Sequence, residues 1–269
     1  MTDLLPPLHV VEWTPPADHG RLPVRLLVHG TMDRASSFGR MAAALGDRTV
    51  VAYDRRGYAS STKRAATEDF DDQVEDLLEV LDERPAVAFG HSYGANVVLT
   101  AAAQHPEIVV GAVVWEPPMP WLPYWPTDNP VLSTTDPGDA AEAFMRRMVG
   151  DEIWERLPTT TRRRRREEGE TLIAEMHTMR GGAPWEPRDI GVPVIVGTGA
   201  TSRPYWRRGG ADLAAALPFG RLAVIPGAGH GAHLTHPIEV AGLVREVESW
   251  LRTPPPSGEE SATVERDDA

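Results

Sequence analysis

Residues 86–104 read AVAFGHSYGANVVLTAAAQ, and this stretch decides the fold. A short apolar run ends at Phe89, glycines enclose the segment around Ser92, and a run of helix-forming residues follows. This order predicts a strand that turns into a helix within a couple of residues. Such a turn holds Ser92 in a strained conformation for which only small flanking residues leave room, so its hydroxyl projects above the sheet. The pattern therefore predicts a nucleophilic serine.

The simpler alternative is that residues 90–94 form a glycine-flanked turn without a chemical role, because short motifs match by chance. The apolar run before Ser92 and the helical run after it favour the nucleophile. The backbone N–H of Tyr93 would then lie at the start of the helix, where it can donate a hydrogen bond to an oxyanion.

Along the rest of the chain, short apolar runs alternate with amphipathic stretches. Near-continuous apolar strands suit a parallel sheet that is buried on both faces. The alternation of strand and helix is typical of a doubly wound α/β domain. The predicted strands cover residues 22–28, 50–53, 87–89, 109–114, 194–197 and 222–225, and the predicted helices cover residues 36–45, 70–83, 95–104, 205–217 and 237–251.

The alternation stops in residues 117–189, which have helical patterns and no convincing strand. We therefore expect a core formed by residues 1–116 and 190–252, with a helical cap inserted between them. The final residues, 253–269, are polar and acidic, so we expect a disordered tail.

Three aromatic residues lie in the proline-rich segment that begins the insertion. Trp121, Tyr124 and Trp125 could line a binding cavity and contact an apolar group of a substrate. The alternative is an ordinary connector whose aromatic side chains pack on the core.

Composition excludes several classes of protein. The net charge of −12 argues against an extended nucleic-acid surface, and the absence of cysteine removes disulfides, thiolate nucleophiles and cysteine-ligated metals. The arginine run at 162–166 is followed by glutamates at helical spacing, which favours solvent-exposed ion pairs over a nucleic-acid partner. With no signal-like segment and no apolar run of membrane-spanning length, we expect a cytoplasmic protein without a membrane partner.

His230 is the candidate base for Ser92. It follows the predicted strand at 222–225, so it should lie at the sheet edge where Ser92 emerges. A turn histidine without a catalytic role is the alternative. His230, His233 and His236 also raise the possibility of a metal site, but residues six apart diverge on a helix and the glycines around His230 indicate a loop, so we expect no metal.

A second oxyanion donor is expected in the loop after the first parallel strand. This loop reads His29-Gly30-Thr31-Met32, and its glycine lets the backbone approach a ligand closely. We expect the N–H of Thr31 to complete the oxyanion hole with that of Tyr93. The Thr31 hydroxyl is a further possible donor, and Met32 is the alternative amide and a predicted substrate contact.

Four features together resemble the α/β-hydrolase family: the loop at 29–32, the segment at 53–60, the turn at 90–94 and the late Gly229-His230 pair. The resemblance covers about residues 8–252. It implies an α/β fold with a mostly parallel central sheet of about eight strands flanked by helices, and a helical cap after the sixth strand. It also implies Ser92 as nucleophile, His230 as base and a structural role for Asp54.

The triad acid is missing from the position that much of this family uses, because residues 197–203 contain no carboxylate. Glu116 is our candidate, since it directly follows the strand at 109–115 and some relatives of this fold carry the acid there. The two strand ends should be neighbours, so both positions can reach the same imidazole nitrogen. The alternative is a solvated or helix-capping glutamate at a Glu-Pro-Pro turn.

The resulting hypothesis is a cofactor-free serine hydrolase that cleaves an ester, lactone or thioester of a small apolar substrate. Serine rather than aspartate at position 92 argues against the epoxide hydrolases and haloalkane dehalogenases of this fold. A carbon–carbon bond hydrolase or perhydrolase on the same site, a catalytically silent ligand-binding protein and an interaction protein are the alternatives. The sequence does not indicate an oligomeric state.

Overall fold

The apolar runs pair into one sheet in the computed structural model, which describes residues 5–16, 18, 23–127 and 134–252. The described residues form seven strands in the order β1-β3-β2-β4-β5-β6-β7. Strands β2 to β7 run parallel, and β1 pairs antiparallel with β3 at one edge. The strands are β1 (Val10–Trp13), β2 (Val24–Val28), β3 (Val50–Tyr53), β4 (Ala86–His91), β5 (Val109–Trp115), β6 (Val194–Gly199) and β7 (Gly220–Ile225).

The central strands β2 to β6 are buried on both faces because their successive side chains enter different hydrophobic clusters. In β4, Ala86 and Ala88 belong to one cluster, while Val87 and Phe89 belong to the other. All six residues of β4 are buried. This explains why the strands read as continuous apolar runs rather than as alternating ones.

Helices cover both faces of the sheet. Helices α2, α3 and α8 contribute to the first cluster, and α1 and α10 contribute to the second. None of the helices in the described ranges has the length and apolar character needed to cross a bilayer. The helices are α1 (Gly39–Ala44), α2 (Phe70–Leu81), α3 (Tyr93–Gln104), α4 (Pro137–Val149), α5 (Asp151–Arg156), α6 (Thr159–Glu167), α7 (Gly169–Thr178), α8 (Pro204–Ala216), α9 (Ala232–Thr235) and α10 (Pro237–Arg252).

The predicted α/β-hydrolase fold is confirmed, with two differences in detail. The sequence patterns did not predict β1, whose residues are alternately exposed and half-buried and therefore lack a continuous apolar run. Strand β1 pairs directly with β3, and the described sheet has seven strands rather than about eight. The helical insertion consequently follows the fifth strand, not the sixth.

The insertion between β5 and β6 contains α4 to α7 and, within its described residues, no strand. Two arginines of the 162–166 run form the ion pairs that helical spacing predicts, Arg163–Glu167 and Arg165–Glu168. Arg162 and Arg166 instead pair with carboxylates of other helices, Glu155 and Asp139. The predicted disordered tail at 253–269 lies outside the described residues.

Glu175 of α7 connects the insertion to the core. Its carboxylate accepts hydrogen bonds from Arg55 Nη1 at 2.6 Å, Thr31 Oγ1 at 2.6 Å and Tyr58 Oη at 2.9 Å. The side chains of Arg55 and Glu175 are both fully buried. The Arg55 guanidinium also lies over the ring of Tyr93, with 4.8 Å to the ring centroid. One carboxylate thus joins the insertion to the loop at 29–32 and to the residue after Ser92.

Replacing Glu175 with glutamine should strongly destabilise the protein, because it leaves the buried Arg55 guanidinium without a counter-charge. We expect the free energy of unfolding, measured by urea denaturation, to fall by about 3–5 kcal/mol. The control is Glu152→Gln in α5, whose ion pair with Arg156 is exposed and should contribute little. Equal midpoints for the two variants would contradict this role of Glu175.

Candidate active site

Ser92 lies in a strained turn between β4 and α3. Its backbone has φ 54° and ψ −122°, a conformation that a residue with a side chain rarely adopts. The Ser92 N–H donates to the Trp115 carbonyl at 2.9 Å, which ties the turn to the end of β5. A Cβ on Gly90 would lie 2.5 Å from Ala95 Cα, and one on Gly94 would lie 2.5 Å from His29 O. The close backbone approach therefore explains why both positions are glycine.

Glu116 follows β5 in a second strained conformation, with φ 47°. Its backbone N–H donates to the Gly197 carbonyl at 3.1 Å, so the end of β6 fixes its position. The side chain is 1% exposed. One carboxylate oxygen accepts from Thr198 Oγ1 at 2.9 Å and from the Gly199 N–H at 3.0 Å, and the other contacts His230 Nδ1 at 2.8 Å. A carboxylate that follows the neighbouring strand, β5, thus contacts His230, while residues 197–203 carry none.

The pKa of Glu116 reflects opposing effects. Burial alone would raise it, but the hydrogen bond and positive charge of His230, together with the Gly199 amide, lower the pKa below its ordinary value. Glu116 is therefore a carboxylate at neutral pH. A carboxylate only accepts, so Nδ1 of His230 must be the donor. This leaves Nε2 of the neutral imidazole with a lone pair that can accept a proton.

Two further contacts hold His230, which lies on the loop after β7. Nε2 of His91 donates to the His230 carbonyl at 2.9 Å, and His91 immediately precedes Ser92. The Trp206 ring stacks on the His230 imidazole with centroids 4.6 Å apart. The backbone of His230 is therefore anchored to the turn that carries Ser92.

Ser92 and His230 line the same cavity, which has a volume of about 500 Å³. This is the size of a small-molecule site. Thr31 and Trp125 also line it.

The other predicted substrate contacts lie elsewhere. Met32 is 3% exposed and packs in the first hydrophobic cluster. Trp121 packs edge-on against Trp185. The Tyr124 hydroxyl donates to Asp212 at 2.5 Å, with Arg208 over its ring. None of the three is among the described residues that line the cavity. The sequence placed these side chains in the right segments but could not predict which way they point.

The backbone amides of Tyr93 and Thr31 remain the candidate oxyanion donors. The Tyr93 N–H is the first of α3, and N–H groups in a first helical turn have no acceptor within the helix. Thr31 lies on the cavity wall after β2. Its hydroxyl hydrogen is directed at Glu175, so the side chain is not free to donate to a ligand, and the amide is its remaining donor.

His230, His233 and His236, the possible metal-site histidines of the sequence, are not brought together as one group of ligands among the described residues. His233 instead contacts Asp33, with 3.1 Å between Nε2 and Oδ2, and its ring lies 4.2 Å from that of His91. Asp33, His91 and His233 have possible metal-ligand atoms that lie within 4.8 Å of one another. Nε2 of His91 and Nε2 of His233 are used in hydrogen bonds, to the His230 carbonyl and to Asp33, while Nδ1 of each ring is buried without a hydrogen-bond partner among the described residues.

Asp54 has the structural position expected of it. One carboxylate oxygen accepts from the Ala35 N–H at 2.9 Å and the other from the Ser60 N–H at 3.0 Å. The sequence reasoning missed Trp206 and Glu175. An aromatic pair at 205–206, just after the carboxyl end of β6, was a usable signal for Trp206. No local pattern indicates Glu175, because its partners are more than a hundred residues away.

Comparison with known proteins identifies the family of this fold. The sequence model of a family described as "Alpha/beta hydrolase family" matches residues 26–243. The chain belongs to the alpha/beta hydrolase family. A curated relative from Mesorhizobium japonicum, named 2-(acetamidomethylene)succinate hydrolase, is 33% identical over 100 residues, which are 36% of each chain. The chain thus aligns with little more than a third of that relative's length.

Solved alpha/beta hydrolase structures share the fold. The enol-lactonase from Burkholderia xenovorans LB400 has a TM-score of 0.69 and 20% identity, covering 90% of this chain and 96% of its own. A thermophilic esterase from Thermogutta terrifontis has a TM-score of 0.66 and 19% identity, covering 91% and 93%. At these identities the likeness shows a common architecture.

The lowered pKa of Glu116 predicts how stability depends on pH. When folding lowers the pKa of a carboxyl group, its ionised form stabilises the protein at pH values above the pKa of the unfolded state, about 4.3 for glutamate. This stabilisation is lost as the pH falls through the pKa of the folded state. The difference in unfolding free energy between wild type and Glu116→Gln should therefore narrow from about pH 5 towards about pH 2. Urea denaturation across this range tests it, with the exposed Glu107→Gln as control. A constant difference would be inconsistent with a depressed pKa.

Proposed function

We propose that this alpha/beta hydrolase is a serine hydrolase that cleaves a carboxylic ester or a related acyl compound, such as a lactone or thioester. The observation that carries the proposal is the 2.8 Å contact between Glu116 and His230, at the wall of the cavity that Ser92 also lines. Strand β5 supplies the acid, the turn after β4 the nucleophile and the loop after β7 the base. The curated relative is a hydrolase by name, which supports hydrolysis as the reaction class.

In the first half of the reaction, Nε2 of His230 takes the proton of Ser92 as Oγ attacks the acyl carbon. A bond forms between Oγ and carbon, and the carbonyl electron pair moves onto oxygen. The amides of Tyr93 and Thr31 donate to this oxyanion. The tetrahedral intermediate then collapses, and the imidazolium gives its proton to the departing alcohol.

In the second half, His230 takes a proton from water, whose oxygen attacks the acyl-enzyme. Collapse of the second intermediate returns the proton to Ser92 and releases the acid. Glu116 fixes the imidazole tautomer throughout and stabilises the imidazolium by its negative charge. Its hydrogen bonds from Thr198 and Gly199 keep it ionised in a buried position.

The helical insertion contributes Phe144, Met176 and Met179 to the cavity wall. We propose that it acts as the cap that shapes the substrate site. The substrate is then a small molecule processed without a cofactor, and the cytoplasmic location inferred from the sequence remains a prediction.

The alternative is a catalytically silent binding protein, which the absence of a carboxylate directly after β6 suggests. The contact of Glu116 with His230 supports the enzyme, because a binding protein has no need of a buried carboxylate held against the imidazole.

A fluorophosphonate probe tests the nucleophile. We expect covalent labelling of the folded wild type, detected by mass spectrometry at Ser92, and loss of labelling in Ser92→Ala and His230→Ala. Ser249→Ala in α10 is the control, since Ser249 is exposed, is not among the residues that line the cavity and should not react. Failure of the folded wild type to label would favour the silent binder.

The role of Glu116 predicts a large kinetic effect. With an ester substrate, Glu116→Gln should lower kcat by about 10³–10⁴-fold, because a glutamine can stabilise the wrong tautomer and carries no charge to offset the imidazolium. Circular dichroism checks that the variant is folded. A kcat within a factor of two of the wild-type value would show that the role of Glu116 is purely structural.

A further inference from the structure

The cavity differs in charge from the rest of the molecule. The chain has 39 acidic and 27 basic residues and a net charge of −12. Yet the described residues that line the cavity include no aspartate or glutamate and three arginines: Arg147, Arg180 and Arg203. These three come from separate elements, namely α4, the turn after α7 and the residue before α8. An acidic protein thus has a cationic cavity.

These arginines also differ from their neighbours in pairing. Arg146 pairs with Glu142, Asp151 and Glu155, and Arg166 pairs with Asp139 and Glu142. Within the described part of the chain, Arg147, Arg180 and Arg203 form no ion pair. Arg146 and Arg166 are therefore neutralised by carboxylates of the insertion, whereas the three arginines that line the cavity are not.

Burial places the charges at the cavity mouth. All three arginines are exposed, whereas Met176 and Met179 in the same wall are buried. Glu116 does not line the cavity and contacts His230 rather than any of these arginines. The cavity thus combines an apolar interior beside Ser92 with a cationic entrance.

We propose that the substrate carries an anionic oxygen group, a carboxylate or phosphate, on the part of the molecule that lies away from the scissile acyl bond. Guanidinium groups bind such anions through paired, charge-assisted hydrogen bonds. The apolar interior takes the chain between this group and the acyl carbon. Unpaired charges at the entrance also attract anionic substrates from solution. This inference rests on the proposed serine hydrolase activity and names its substrate class.

Matched esters test the inference. The substrates are 4-nitrophenyl esters of straight-chain acids that differ only at the far end, which is a carboxylate, a neutral carboxamide or a phosphate. All share one leaving group, so its chemistry does not bias the comparison. We expect kcat/KM to be at least tenfold higher for an anionic ester than for the carboxamide, mainly through a lower KM. The preference should shrink as salt is added, because the exposed arginines are screened.

Arginine substitutions locate the effect. Arg147→Gln, Arg180→Gln and Arg203→Gln should each reduce the anion preference severalfold, and the triple variant should abolish it. The preference is the ratio of kcat/KM for the anionic ester to kcat/KM for the carboxamide ester in the same variant, so a general loss of activity does not change it. Arg207→Gln is the matched control, because Arg207 is an exposed arginine on α8 that does not line the cavity. Whichever of the carboxylate and phosphate esters has the higher kcat/KM identifies the anionic group of the substrate.

Failure of the inference can be distinguished from failure of the proposed function. If the wild type labels with the fluorophosphonate but hydrolyses the neutral and anionic esters equally well, the substrate class is wrong and the hydrolase stands. If the three arginine variants keep the full preference, the arginine site is wrong. If the folded wild type neither labels nor hydrolyses any of the esters, the proposed function itself fails.

Discussion

The site depends on backbone hydrogen bonds that continue past the ends of three neighbouring parallel strands. The Ser92 N–H donates to Trp115 at the end of β5, and the Glu116 N–H donates to Gly197 in β6. These bonds hold the two residues in left-handed conformations that neither residue type favours. The rigid sheet therefore stabilises the strained turns, and the carboxylate and hydroxyl keep fixed positions relative to His230.

Those parts of the fold and site that follow from local sequence could be predicted. The six parallel strands are short apolar runs, and the glycines around Ser92 indicate the tight turn directly. Glu116 could be inferred because adjacent strand ends bring distant residues together. Strand β1 escaped prediction because its side chains are only partly buried. The directions of Met32, Trp121 and Tyr124, and the role of Glu175, depend on packing between distant segments, which no local pattern specifies.

The pairing of charged side chains differs with their place in the molecule. Arg166 of the insertion is paired with Asp139 and Glu142, and the buried Arg55 is paired with Glu175. The Glu175 carboxylate also holds Thr31 and Tyr58, so the insertion is attached to the loop that would supply an oxyanion donor.

A crystal structure of the protein inactivated by a fluorophosphonate tests the central claim most directly. The account predicts a covalent bond from Ser92 Oγ to phosphorus, with the phosphoryl oxygen about 2.7–3.1 Å from the backbone nitrogens of Tyr93 and Thr31. It also predicts that His230 remains hydrogen-bonded to Glu116. A phosphoryl oxygen that points away from both amides, or an adduct on another residue, would contradict the account.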